Sequence, residues 1–178
     1  MRLAASVAIL SFTLLAQNRG AFDEAPPSGI VERFAKFDFE GYRLDSEGHK
    51  AIWDLTIDDG SPAVFPMYLI KTYSTGPAQR VPGGSIRIPV TYQIIGVIQE
   101  GPKGLSFRLK PALSTEVFPV KCEGAACKID LDRAVFHVSA HVGREAVLAW
   151  IKALEGIQNT EREKEPYKQL FDQVTNAK

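Results

Sequence analysis

Ile86, Ile88, Val90, Tyr92 and Ile94 alternate with Arg87, Pro89, Thr91 and Gln93. A period of two sends successive side chains to opposite faces of an extended chain, so this segment must be a strand that buries one face. Pro89 has no N–H to give a ladder, which places it at an edge or a bulge, and Gly96 marks a bend. After the turn Gly101-Pro-Lys-Gly, Leu105, Phe107 and Leu109 alternate with Ser106, Arg108 and Lys110. Met67 to Ser74 is rich in aromatic and β-branched residues and is followed by the turn Val81-Pro-Gly-Gly. Val117 to Lys121, Lys128 to Leu131 and Ala134 to Ser139 add further short strands. At least four or five antiparallel strands are expected.

Helical periodicity flanks this β region. Ser28 offers a cap for a helix carrying Ile30, Phe34 and Phe37 on one face, broken near Gly41. A second start at Ser46, with Glu47 in its first turn, carries Ala51, Ile52 and Leu55 until Asp58-Asp-Gly-Ser-Pro. Beyond the strands, Ser139 or Gly143 opens a helix striped with Ala146, Val147, Trp150, Ile151 and Leu154 and ended by Gly156. Tyr167, Leu170, Phe171 and Val174 form a last helix starting near Pro166. Helices, then strands, then helices is an α+β order, with N-terminal helices packed on a curved antiparallel sheet and C-terminal helices behind.

The first sixteen residues read as an export leader. Arg2 is followed by an uncharged, mostly apolar run from Leu3 to Leu15, and Ala16 is the best cleavage point. A span needs about 20 apolar residues, and Gln17, Asn18 and Arg19 stop this run short. Residues 17–27 read as a flexible mature terminus, 28–157 as one α+β domain, and 158–178 as a charged linker with a helix. The 21 basic and 21 acidic residues cancel, and no basic cluster stands out. Nucleic acid is therefore a poor partner. A periplasmic or secreted location without stable membrane insertion is the expectation.

Behind such a leader, Cys122 and Cys127 are expected to form a disulfide clipping a hairpin. The competing pattern Cys122, Cys127, His137, His141 loosely follows zinc-ligand spacing, but the gap between pairs is short and the histidines lie on a strand running into a cap. No metal site and no cofactor is expected. Nucleophile-elbow, zinc-protease and phosphate-loop motifs do not occur in the sequence.

Three stretches carry a resemblance: Phe39 to Lys50; Tyr68 to Tyr73 with Ile88 to Gly96; and His141 to Ile151. Over most of residues 28–156 the chain resembles bacterial exported members of the nuclear-transport-factor-like cone-fold superfamily, which includes ketosteroid isomerases and polyketide cyclases. The resemblance implies a pocket between curved sheet and helices, with Trp53 and Tyr92 as ligand-binding lining residues. The paired Asp/Tyr acid–base residues of the superfamily's enzymes have no matching positions here.

By residue type, Asp38, Asp45, His49 and Asp54 in the helical layer, and Tyr68, Tyr73 and Tyr92 on strands, could act as acids or bases. Asp45 before Ser46 also suits capping, and Tyr92 lies on the apolar face of its strand. No catalytic residue is assigned. The expectation is an exported domain binding a small apolar ligand or an envelope partner protein, with a second copy as a candidate partner. The alternatives are a proton-transfer enzyme of the isomerase or dehydratase type and a structural envelope protein.

Overall fold

The computed structural model describes residues 26–57, 65–102, 104–131, 135–155 and 161–177. The expected leader, the terminus through residue 25, the turn at 58–62 and Gly156 lie outside them. The chain runs α1 (Pro27–Phe39), a 3-10 turn (Tyr42–Leu44), α2 (Ser46–Trp53), β1 (Met67–Thr75), β2 (Gln79–Arg80), β3 (Ile86–Gly101), β4 (Gly104–Glu123), β5 (Ala126–Ile129), β6 (Phe136–Ser139), α3 (Ala140–Glu155) and α4 (Glu161–Asn176). This is the α+β order read from the sequence, built on a curled, mostly antiparallel sheet.

Local chemistry sets the helix ends. Pro26, rather than Ser28, precedes α1: its carbonyl accepts from Gly29 N at 2.7 Å, and Pro27 supplies the fixed φ that suits a first helical position. Asp45 Oδ2 accepts from Gly48 N at 3.3 Å at the start of α2. Ser139 Oγ does the same for Val142 N at 3.2 Å at the start of α3. α4 begins earlier than expected and holds Pro166 inside it, with the loss of one intrahelical hydrogen bond.

The sheet order is β5-β4-β3-β1-β6, with β2 pairing β3 beyond the end of β1. β3 pairs antiparallel with β1 and β4, while β6 lies parallel to β1, with His137 beside Tyr68. The crossing from β5 to β6 carries the chain to the opposite edge of the sheet, and this brings β6 in alongside β1 in the same direction. Pro89 sits on central β3, but where β1 has ended: Gly76 N donates to Pro89 O at 2.7 Å. Its missing N–H therefore falls at a local edge.

A bulge at the expected bend, between Ile94 and Gly96 on β3 and between Ala112 and Leu109 on β4, switches which residues face which layer. On one side of it, Ile88, Val90, Tyr92, Ile94, Phe118 and Val120 pack against Ile30, Val31, Phe34, Ile52 and Leu55 of the N-terminal helices. On the other, Met67, Leu69, Ile98, Phe136 and Val138 pack against Val147, Ile151, Leu170 and Val174 of α3 and α4. The last helix thus packs on the domain. Burial of side chains this size contributes about 1.5–3 kcal/mol each.

Cys122 and Cys127 face each other across the β4–β5 hairpin and are joined by a disulfide. The zinc alternative therefore lacks its two thiolates. Among the described residues no helix is long and apolar enough to cross a membrane.

Candidate functional site

A cluster of polar side chains lies inside the N-terminal half of the core. Asp38 closes the last turn of α1, and the chain then reverses through Gly41, whose φ of 81° favours glycine. The reversal brings Arg43 back onto Asp38. Arg43 Nε donates to Asp38 Oδ1 and Nη2 to Oδ2, both at 2.8 Å, and Nη2 also donates to Val135 O at 2.8 Å. Both side chains are almost wholly buried, and the guanidinium carbon stands 4.1 Å from the Phe136 ring centroid. Burial raises the Asp38 carboxyl above its ordinary range, opposed by the Arg43 charge, by its hydrogen bonds and by the His137 N–H.

His137 is the hinge between this pair and the sheet. Its backbone N donates to Asp38 Oδ2 at 2.9 Å, tying β6 to α1 across 99 residues. Its Nδ1 lies 3.1 Å from Val135 O. A carbonyl only accepts, so Nδ1 carries the ring hydrogen and Nε2 is left as an acceptor in the neutral imidazole. Burial first, and then the Arg43 charge, lower the His137 pKa to about 4, so the ring is neutral at physiological pH. The Tyr92 ring stacks on it at 3.8 Å between centroids and 6° between planes, and the Tyr68 ring lies nearly parallel at 5.4 Å.

Two polar groups here have no close hydrogen-bond partner among the described residues. The Tyr92 hydroxyl is buried without one, and burial raises its pKa, so it remains a donor. His137 Nε2 faces Glu116 Oε1 at 3.7 Å, too long for a direct bond. Glu116 reaches in from β4 with about one third of its side chain exposed, and it forms the accessible side of the cluster. Its pKa is raised by burial and then by the Asp38 charge, against the opposing charge of Arg43. A neutral acceptor, a phenol donor and a carboxyl held toward its protonated form together suit an uncharged polar group. Burying a bare charge beside them would incur the same desolvation penalty that shifts all three.

The residues singled out by type divide clearly. Asp38, Tyr68 and Tyr92 come together around His137. Tyr73 pairs with Tyr92 across the β1–β3 ladder, and burial raises its pKa. Asp45 caps α2, and His49 and Trp53 lie 5.4 Å apart on that helix, with Trp53 half exposed. Tyr92, the other expected lining residue, is fully buried on β3. Arg43, Glu116 and His137 were not singled out as a set. Glu116 carried a usable signal, since it shares the inward phase of Phe118 and Val120 on β4. Two open depressions, of about 460 Å³ beside Tyr42 and Asp45 and about 410 Å³ between Leu109 and Asp172, lie apart from this cluster. Among the described residues no three His, Cys, Asp or Glu side chains are grouped to hold a metal ion.

No family model, no curated protein and no solved structure matches this chain.

Proposed function

We propose that this chain is an exported binding domain whose site, at the Glu116 side of the buried cluster, takes a small molecule with an apolar body and one uncharged polar group. One observation carries the reading: the wholly buried Tyr92 hydroxyl has no partner, and its ring stacks at 3.8 Å between centroids on that of His137, whose Nε2 meets Glu116 Oε1 only at 3.7 Å. A ligand hydroxyl can accept from Tyr92 and donate to Nε2, satisfying two groups that otherwise leave about 1–3 kcal/mol each of desolvation uncompensated. The partly exposed Tyr68 ring, stacked on His137, suits an apolar body. Export is supported by the leader pattern of residues 1–16, and the Cys122–Cys127 disulfide fits a non-cytoplasmic compartment.

The test is native mass spectrometry of the full chain purified from its own cells. The expected result is a protein mass increased by one small molecule, with the increment lost in both Tyr92→Phe and Glu116→Gln. A bare wild-type mass, or an increment indifferent to both substitutions, refutes the reading.

Proton-transfer chemistry has one observation in its favour, the 3.7 Å approach of a neutral base nitrogen to a carboxyl held toward its acid form. It is separated from simple binding by the fate of the bound molecule: a binder releases it unchanged, whereas an isomerase or dehydratase releases it altered.

A further inference from the structure

His137 is fixed in place, Glu116 can move, and the two present lone pairs to each other. The His137 backbone N donates to Asp38 Oδ2 at 2.9 Å, its Nδ1–H donates to Val135 O at 3.1 Å, and the Tyr92 ring stacks on its ring at 3.8 Å. With the ring hydrogen on Nδ1, Nε2 is an acceptor. Glu116 Oε1 stands 3.7 Å from that nitrogen, and an ionised carboxylate oxygen is an acceptor too. A neutral ring and an ionised carboxylate gain nothing from this approach, because no proton lies between them. One added proton changes that. A carboxyl O–H in this position donates to Nε2, and the gap closes to about 2.8 Å. The Glu116 backbone is held in the ladder opposite Val90, so the side chain alone makes the movement of about 1 Å, and about one third of that side chain is exposed.

We infer that Glu116 is a latch on this site: in mild acid its protonated carboxyl closes onto His137 Nε2 and takes the acceptor that a ligand hydroxyl would use. The latch forms within the chain alone, and its control of binding rests on the function proposed for this site. Acid therefore goes with release of the ligand. The groups around the pair let the proton settle there. Asp38 on α1 attracts it, with Oδ2 4.0 Å from His137 Nδ1, while Arg43 of the 3-10 turn, bonded to Asp38, repels it. β3 adds the Tyr92 phenol and β1 the Tyr68 ring, with Lys110 Nζ of β4 5.8 Å from the Tyr68 centroid. The ring takes a proton only at about pH 4, whereas burial and then the Asp38 charge raise the carboxyl, so the carboxyl fills first as the pH falls. The pair then holds one proton between its facing atoms, and the apparent pKa belongs to the pair.

Nitrogen NMR of the full chain labelled at histidine, followed from pH 7 to pH 5, tests the latch, with His137→Phe identifying the signals. The expected result is an upfield step at His137 Nε2, as a lone pair gives on accepting a hydrogen bond, while Nδ1 keeps its hydrogen. Glu116→Ala should remove the step. Glu116→Gln, whose amide donates at every pH, should show the shifted signal already at pH 7, which is also why this variant loses the bound molecule. No step in this range, a step that survives Glu116→Ala, or a hydrogen bound to Nε2 itself overturns the latch. Native mass spectrometry of the chain purified from its own cells, over the same pH range, tests its control of binding. The ligand increment should be present at pH 7 and lost at the midpoint of the ring's step, with the charge states still those of the folded chain. An increment that persists through the step overturns that control and leaves the binding site standing. An increment absent at pH 7 refutes the binding function and the control that rests on it, while the ring signal still decides the latch.

Discussion

Arg43→Met removes the guanidinium and keeps most of the apolar stem. In the wild-type protein Asp38 accepts two bonds at 2.8 Å from Arg43 and one at 2.9 Å from His137 N. The variant keeps only the last, and Val135 O loses the donor at 2.8 Å. Breaking a buried pair by removing one partner costs about 3–5 kcal/mol. Protonation limits that penalty. Loading a proton at pH 7 onto a carboxyl with an ordinary value near 3.8 costs about 4 kcal/mol, and this falls by about 1.4 kcal/mol per pH unit on acidification. Without Arg43 the folded pKa of Asp38 lies further above its unfolded value, so the folded variant takes up the proton first and recovers stability as the pH falls. Urea unfolding followed by the fluorescence of Trp53 and Trp150 should show a deficit of about 3–4 kcal/mol at pH 7, narrowing by about 2–3 kcal/mol at pH 5. The double variant Asp38→Asn/Arg43→Met should be more stable than Arg43→Met alone at pH 7. A deficit below about 1 kcal/mol at pH 7, or one unchanged at pH 5, refutes the assignment of Asp38 and Arg43 as a charged pair that fixes α1 to β6.

His137 has a folded pKa of about 4 against about 6.5 unfolded, so between these values only the unfolded chain binds its proton, and stability falls as the pH falls. Across that window wild type should lose about 3 kcal/mol relative to His137→Phe, a comparison in which the opposing contributions of Asp38 and Glu116 largely cancel; parallel stability curves would contradict it. Gly41→Ala meets both a φ of 81° and the Val142 side chain and should cost about 2–4 kcal/mol, whereas Gly83→Ala, at a φ of 91° with open space around it, should cost only about 1–2 kcal/mol. Equal losses on thermal unfolding would show that close approach of Gly41 to α3 is unimportant. Cys122→Ser/Cys127→Ser opens a small loop and should cost about 2 kcal/mol in urea with the far-ultraviolet spectrum unchanged; global unfolding would show that the disulfide is more than a local clip.

Period-two patterning made β3 legible, and helical stripes placed α1 and α3 to within a residue or two at the ends described, whereas α2, expected to run to Asp58, ends at Trp53. β4 was harder. Leu105, Phe107 and Leu109 set one alternation and Phe118 and Val120 the opposite one, so a single strand reads as two segments until the intervening bulge is known. The parallel entry of β6 is a choice of pairing partner, which the four residues Phe136–Ser139 do not encode by themselves.

The polar cluster was only partly legible, for related reasons. Asp38 and Arg43 are five apart across a helix end, outside the three- and four-residue spacings that flag helix pairs, and Gly41 makes the approach possible. His137 lies between apolar Phe136 and Val138 and reads as core. Its place in the cluster depends on the hydrogen bond its backbone N donates to Asp38 and on a stack with Tyr92, both contacts made only by folding. Glu116 was the one member visible as an exception, a carboxylate in an inward-facing phase.

In the proposed function Tyr92, His137 and Glu116 together hold an uncharged group of a small molecule. A crystal structure of the full chain, purified from its own cells without added ligand, tests it most directly. The expected result is density for a non-protein molecule within hydrogen-bond distance of both Tyr92 Oη and His137 Nε2. Direct protein–protein hydrogen bonds satisfying all three groups, or a lone ordered water bridging them, would contradict it.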